Sequence, residues 1–229
     1  PVRIQLLFHM QPTQHLRDHL SSLGFEETGD VYYNLNPAEL LEQAIRRSEG
    51  DLTAHGAFVS QTTPHTGRSP KDRFVVDEPG STDTVGWGDV NVPISEEVFD
   101  NLLARMDDYA KGRDLFVLDA FAGADPDYRL KVRVITEKAW HAAFAWNMFI
   151  EVGGHSPEHE EPRFTVVDLC GFQADPERDG TNSSAFIIVH LTRRLVLIGG
   201  TKYAGEIKKS IFSALNYLLP AHSVLPMHC

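Results

Sequence analysis

Short apolar runs with the length of β-strands recur along the chain, and most of them lie after residue 114. Amphipathic helical patterns separate some of these runs, whereas others follow each other directly. The strand-like runs cover residues 74–76, 115–121, 130–135, 164–169, 185–191 and 195–198, and the helical patterns cover residues 15–23, 37–47, 95–110, 137–150 and about 205–219. Because some strands succeed one another without a helix, the sequence predicts an α/β fold with a mixed β-sheet flanked by helices.

Local signals support these boundaries. The second helical pattern opens with Asn36 and Pro37, an N-cap residue followed by proline at the first helical position. The third opens with Ser95, which acidic residues follow in the first turn. A tight turn is expected at residues 192–194, and loops are expected at 77–89 and 153–162. Neither loop is long enough to separate autonomous domains, so we expect one domain over residues 1–229.

Composition excludes several classes of protein. The 229 residues include 42% hydrophobic residues, and 32 acidic against 21 basic residues give a formal charge of -11. Such an acidic chain is not expected to bind nucleic acid. No apolar run reaches the roughly 18 to 20 residues that span a bilayer, so no membrane partner is expected. Two scattered cysteines, Cys170 and Cys229, predict no disulfide framework and suit a cytoplasmic location.

The first motif with chemical potential is HTGRSPKDRF at residues 65–74. Gly67 lets the backbone approach a ligand, and Pro70 stiffens the loop. Arg68 between them offers a planar fork that suits a carboxylate or a phosphate. The alternative is a surface turn whose basic residues pair with nearby acids, and spacing alone favours that alternative.

The second motif is GGTKYAGEIKKS at residues 199–210, where a strand leads through a glycine-rich turn into a helix. It is not a Walker A loop, because Glu206 and Ile207 stand where Lys and Ser/Thr are required. Lys208 and Lys209 oppose the positive end of the helix dipole. The apolar stripe predicts that Lys208 falls inside the buried arc and that Lys209 lies just beyond its edge. An anionic ligand at this helix end would explain both lysines.

Other polar and aromatic residues carry weaker signals. A single histidine near the end of the chain, His228, is uninformative by itself. The group of His155, Glu158 and His159 lacks metal-site spacing and is expected to be a solvated loop. No nucleophile pairs by spacing with the histidines near the first motif. Four aromatic residues are expected in the core, namely Tyr32, Tyr33, Trp140 and Trp146.

Taken in order, several segments resemble the ATP-dependent phosphoenolpyruvate carboxykinases. They are TGRSPKD at residues 66–72, NMFI at 147–150, LIGGT at 197–201, YAGE at 203–206, KKS at 208–210, NYLLP at 216–220 and MHC at 227–229. Trp146 before NMFI and Glu151 after it depart from the family pattern. The resemblance implies that residues 1–229 are the N-terminal substrate-binding domain of such a fold. The family's phosphate-binding loop is expected just beyond Cys229, and with it the ATP-binding domain.

The resemblance also implies a reaction in gluconeogenesis, in which oxaloacetate and ATP give phosphoenolpyruvate, ADP and CO₂. Arg68 would bind the substrate carboxylate, and Tyr203 would lie against substrate or CO₂. Lys208 would face the reacting groups, and Lys209 and His228 would ligate Mn²⁺, with Mg²⁺ accompanying ATP. Lys209 can ligate a metal only when neutral. The chain by itself is not expected to turn over. The alternative is a non-catalytic domain that binds a dicarboxylate or a phosphate.

Overall fold

The computed structural model describes residues 12–152 and 163–225. The helices are α1 (Gln14–Ser22), α2 (Pro37–Arg46), α3 (Glu96–Ala110), α4 (Ala139–Met148), α5 (Pro176–Asp179) and α6 (Gly205–Leu218), with 3-10 helices at Pro70–Asp72 and Leu219–His222. The strands are β1 (Val31–Tyr33), β2 (Asp51–Leu52), β3 (Phe58–Val59), β4 (Arg73–Asp77), β5 (Val92–Ser95), β6 (Leu115–Ala122), β7 (Leu130–Thr136), β8 (Ile150–Glu151), β9 (Phe164–Leu169), β10 (Phe186–His190) and β11 (Leu195–Gly199).

Nine of the described strands form one mixed sheet. Eight lie in the order β1-β6-β7-β9-β11-β10-β4-β5, and β8 pairs with β6 at the side. The pairs β6–β7 and β10–β11 are antiparallel, whereas β7–β9, β9–β11, β10–β4 and β4–β5 are parallel. The predicted α/β fold with a mixed sheet flanked by helices is therefore confirmed, as is the predicted hairpin between β10 and β11.

Helices cover both faces of the central strands, which explains why those strands read as unbroken apolar runs. Along β9 the side chains alternate between two cores: Val167 packs with α1 and α3, whereas Val166 packs with α4 and α6. Neighbouring positions of β11 alternate in the same way, with Leu197 on the first face and Ile198 on the second. A smaller core joins α2 to α4 beside Phe116.

The two predicted helix starts are confirmed in atomic detail. The Asn36 side chain accepts from the backbone N–H of Glu39, whose carboxylate accepts from the Asn36 N–H in return. The Ser95 hydroxyl accepts from the N–H of Val98. By contrast α6 begins after Ala204 without a capping side chain.

The differences from prediction concern short or edge elements. The helix expected to reach residue 150 ends at Met148, and the next residues pair with β6 as β8. Strand β5 contains Pro93, which cannot donate to a ladder and is tolerated because β5 ends the sheet. Tyr33 is buried as expected, whereas Tyr32, Trp140 and Trp146 are half-buried.

Part of the sequence interpretation falls outside the described residues. The loop predicted at 153–162, with His155, Glu158 and His159, and the segment that holds His228 both lie there. Within the described ranges, no helix is long and apolar enough to cross a bilayer.

Candidate functional site

The segment that carries Arg68 is fixed on both sides of that residue. Ser69 is buried, and its hydroxyl lies 3.0 Å from Nδ1 of His65. Proline at position 70 opens the short 3-10 helix Pro70–Asp72, which runs directly into β4. Arg68 itself is exposed. The backbone is thus held in place while the guanidinium projects from it.

A second set of contacts ties the same segment to the turn before β10. The Asn182 side chain donates to the carbonyl oxygen of Lys71. The Ser183 hydroxyl donates to Oδ1 of Asp72 at 2.9 Å, and Asp72 is buried. Residues 65–72 are therefore anchored at several points along their length.

The turn between β11 and α6 depends on two glycines. Gly200 has φ +69°, and a Cβ there would collide with the backbone of Ser184. A Cβ on Gly205 would lie 2.5 Å from the Tyr203 ring, so this glycine makes room for the aromatic side chain. Close packing in this turn therefore requires glycine at both positions.

The carbonyl of Lys202 in this turn is held by a buried histidine. His141 on α4 lies with Nε2 3.1 Å from that oxygen and with Nδ1 2.8 Å from the Asp168 carboxylate. Both His141 and Asp168 are almost fully buried, and burial raises the pKa of Asp168. The turn before α6 is thereby linked to the centre of the sheet.

The predicted burial of Lys208 is wrong. Lys208 is exposed and Lys209 is half-buried. Glu206, Ser210 and Ala214 are buried together with the apolar residues Ile207, Ile211 and Leu215. They move the centre of the buried face away from Lys208, which lies just outside it. Solvent therefore accounts for Lys208, and the argument for a ligand depends on Lys209 alone.

Arg68 and Lys209, which are far apart in the sequence, line the same cavity of about 520 Å³. The Nζ atom of Lys209 lies 4.0 Å from the centre of the Phe212 ring, a contact that favours the charged ammonium. The cavity is further lined by Pro70, Arg73, Phe74, Val75, Thr84, Val85, Gly86, Asp89, Val90, Asn91, Val189, Leu191, Phe212, Ser213, Asn216 and Tyr217. Lys208 and Tyr203 are not among these lining residues.

Arg73 is a third cation on the cavity wall that the sequence interpretation missed. Its Nη2 donates to the Ser213 hydroxyl at 2.9 Å. Burial lowers the pKa of Arg73, the charge of Glu206 opposes that shift, and the charge of Arg68 adds to it. Arg73 was missed because it opens a strand, and only the fold turns that end of the strand towards Lys209. With Asp89, the lining has three basic residues and one acidic residue.

Glu206 is the second residue that sequence interpretation missed. Its side chain is fully buried, and Oε1 accepts from the backbone N–H of Ser69 at 2.7 Å across a sequence separation of 137 residues. The available signal was its place beside Ile207 at the start of an amphipathic helix, but a first-turn glutamate is usually solvated.

Comparison with known proteins shows which family the chain belongs to. The sequence model of the phosphoenolpyruvate carboxykinase family matches residues 29–229. The chain belongs to the ATP-dependent phosphoenolpyruvate carboxykinase family. It is 56% identical over 215 residues to phosphoenolpyruvate carboxykinase (ATP) 1 of Salinibacter ruber, covering 94% of this chain and 40% of the relative. It is 50% identical over 210 residues to phosphoenolpyruvate carboxykinase (ATP) 2 of Moorella thermoacetica, covering 92% and 40%.

A third relative gives the same result. The match to phosphoenolpyruvate carboxykinase (ATP) of Geotalea uraniireducens is 51% identical over 220 residues and covers 93% of this chain and 42% of the relative. The chain thus spans about two fifths of the length of these phosphoenolpyruvate carboxykinases.

Three buried side chains, His141, Asp168 and Cys170, place possible metal-binding atoms within 4.8 Å of one another. Each of these three side chains already has a partner within the protein. Nε2 of His141 must carry a proton to bond a carbonyl oxygen, and Nδ1 shares a proton with Asp168. The Cys170 thiol donates to Oε1 of Glu137 at 3.1 Å. The cluster is a structural network.

Two residues were predicted to ligate Mn²⁺. Lys209 is among the residues that the structure describes, whereas His228 lies outside them. The Phe212 ring beside Lys209 favours its cationic form, whereas a metal would require the neutral amine. As an ammonium ion Lys209 can hold an anion, and it could ligate a metal ion only after losing a proton.

Proposed function

We propose that this chain is the substrate-binding part of an enzyme that converts oxaloacetate and ATP to phosphoenolpyruvate, ADP and CO₂. The observation that carries the proposal is the convergence of Arg68 and Lys209 on one cavity. The names of the relatives, which are ATP-dependent phosphoenolpyruvate carboxykinases, support the same reaction. Residues 1–229 then form an N-terminal substrate-binding domain, and the ATP-binding domain belongs to another part of the enzyme.

The chemistry requires positive charge where negative charge develops. Arg68 would hold a carboxylate of oxaloacetate through its fork. Breaking the bond to the departing carboxylate releases CO₂ and leaves the electron pair on an enolate. The enolate oxygen then takes the terminal phosphoryl group of ATP, and ADP leaves. Lys209 and Arg73, which line the same cavity, would supply further positive charge for the enolate.

The proposal gives the remaining residues the roles that the family resemblance implies. Tyr203 would lie against substrate or CO₂, and Lys208 would approach the reacting groups from its exposed position. Lys209 and His228 would hold Mn²⁺, which would supply Lewis acidity at the developing enolate and phosphoryl oxygens, and Mg²⁺ would accompany ATP. A role in gluconeogenesis and a cytoplasmic location are parts of the same proposal.

The proposal is tested in the longer enzyme that contains this chain together with an ATP-binding domain. With oxaloacetate, ATP and Mn²⁺ it should form phosphoenolpyruvate, and Arg68→Ala should lower kcat/KM at least about a hundredfold because a charge-assisted contact is lost. Lys202→Ala removes an exposed charge nearby and serves as the control. A well-folded longer enzyme that forms no phosphoenolpyruvate contradicts the proposal.

The 229 residues contain no GxxxxGK(S/T) loop. We therefore expect the isolated polypeptide to bind a dicarboxylate without turning it over. The alternative function, a non-catalytic domain that binds a dicarboxylate or a phosphate, predicts the same behaviour for the isolated polypeptide. The longer enzyme separates the two functions, because only the carboxykinase forms product.

A further inference from the structure

Glu206 connects the two parts of the cavity wall that carry Arg68 and Lys209. It stands in the first turn of α6, three residues before Lys209, and its Oε1 accepts from the N–H of Ser69, the residue after Arg68. The bond is 2.7 Å long and buried. Glu206 therefore links the loop that carries Arg68 directly to the helix that carries Lys209.

The burial of this carboxylate is unusual for its position. A glutamate in the first turn gains from the helix dipole while it remains in solvent, as Glu97 does at the start of α3. Glu206 is fully buried, and its Oε2 has no hydrogen-bond partner among the described residues. Burying a carboxylate in this way is costly, so the helix dipole does not explain it.

Arg73 connects Glu206 electrostatically to the cavity wall. The negative charge of Glu206 acts on Arg73, and Arg73 in turn senses the charge of Arg68. Glu206 and Arg68 thus act on Arg73 with opposite sign. The same carboxylate fixes the loop geometry through Ser69.

We propose that Glu206 is a positioning residue of the dicarboxylate site, which sets the separation of Arg68 and Lys209 by locking the Ser69 N–H to the start of α6. The inference rests on the proposed function for the identity of the ligand. Its structural part, the lock itself, concerns only the chain. Glu206 does not line the cavity and acts through Arg68.

Two substitutions separate position from charge. Glu206→Ala removes the acceptor of the Ser69 N–H, so the Arg68 loop loosens and oxalate binding should weaken about tenfold, the equivalent of one hydrogen bond. Glu206→Gln retains a carbonyl acceptor and removes a negative charge near the anion site. Glu206→Gln should therefore bind oxalate as tightly as the unmodified chain or a few-fold more tightly. A residue that serves stability alone would leave the oxalate affinity of the folded chain unchanged when it is replaced by alanine.

The experiment combines amide hydrogen exchange with oxalate titration on the 229-residue chain. The Ser69 amide should be protected in the unmodified chain and in Glu206→Gln, and should lose at least about tenfold of its protection in Glu206→Ala. Glu97→Ala is the matched control, because it removes an exposed first-turn glutamate and should change neither measurement. Thermal unfolding of each variant shows whether it is folded, and Glu206→Gln keeps the test decisive where Glu206→Ala does not fold.

The outcomes distinguish the two proposals. Unchanged Ser69 protection in Glu206→Ala, or lost protection in Glu206→Gln, overturns the lock. Weaker oxalate binding by Glu206→Gln would contradict the expectation that Glu206 supports binding through its contact with Ser69 and not through its charge. If the unmodified chain binds no oxalate, the proposed function fails, while the exchange of the Ser69 amide still decides whether Glu206 holds the loop.

Discussion

At the scale of single residues, backbone conformations that only glycine adopts easily shape the path into α6. Gly200 combines φ +69° with close packing against Ser184, whereas Gly112 has nearly the same φ, +68°, and open space where a Cβ would stand. The two positions therefore differ in packing and agree in conformation. Because Gly200 lies between β11 and α6, its packing determines where α6, the helix that carries Lys208 and Lys209, begins.

We expect Gly200→Ala to destabilise the chain more than Gly112→Ala. The left-handed conformation costs about 1–2 kcal/mol at either position. At Gly200 the collision with Ser184 adds a further loss of about 1–3 kcal/mol, as for an overpacked core. Urea denaturation of both variants measures the difference. Equal destabilisation would show that the turn relaxes around the added methyl group and does not constrain α6.

At the scale of elements, helix α1 is held to the sheet by a buried polar network. Arg133 on β7 forms two 2.7 Å contacts with the Asp119 carboxylate on β6, and Tyr33 donates to the same carboxylate at 2.8 Å. Nη1 of Arg133 lies 2.9 Å from Nδ1 of His19 on α1. Since the guanidinium is always a donor, Nδ1 of His19 must accept, and the network requires a neutral imidazole.

The state of His19 makes the stability of the chain depend on pH. Burial lowers the pKa of His19 from 6.5 to about 4, the Arg133 charge adds to the shift, and Asp119 opposes it. As the pH falls, His19 therefore binds a proton at a higher pH in the unfolded chain than in the folded chain. The stability that His19 contributes is therefore complete above pH 6.5 and is lost progressively between pH 6.5 and about 4.

This dependence is tested by urea denaturation at pH 7 and pH 5. The unmodified chain should lose more unfolding free energy between these values than His19→Gln, whose side chain does not titrate. His55→Gln, at an exposed position, is the control and should behave as the unmodified chain. An identical loss in His19→Gln and in the unmodified chain would contradict the assignment.

At the scale of the whole molecule, the central strands and the helices with clear caps could be predicted from sequence. The sequence predicted β9 and β11 correctly, because strands that are buried on both faces consist almost entirely of apolar residues. Strands such as β1 and β8 could not be predicted, because two or three residues form a strand only when a neighbour offers its edge. The burial of Lys208 was mispredicted since polar residues, among them Glu206, occupy part of the buried face of α6.

The candidate site follows the same division. The sequence motifs identified Arg68 and Lys209, because loop glycines and an unusual pair of lysines are local signals. Arg73 and Glu206 could not be identified, since their importance arises from contacts between β4, the Ser69 loop and α6 that form only in the folded chain. Convergence on one cavity is a property of the fold as a whole.

The central claim is that Arg68 and Lys209 together hold a dicarboxylate, and calorimetric titration of oxalate into the 229-residue chain tests it most directly. We expect binding that Arg68→Ala and Lys209→Ala each weaken about tenfold to a hundredfold, the loss typical of a hydrogen bond to a charged group. Lys202→Ala, which removes an exposed charge outside the cavity, should leave the affinity within about twofold. Binding that survives both cavity substitutions, or no binding by the unmodified chain, would contradict the account.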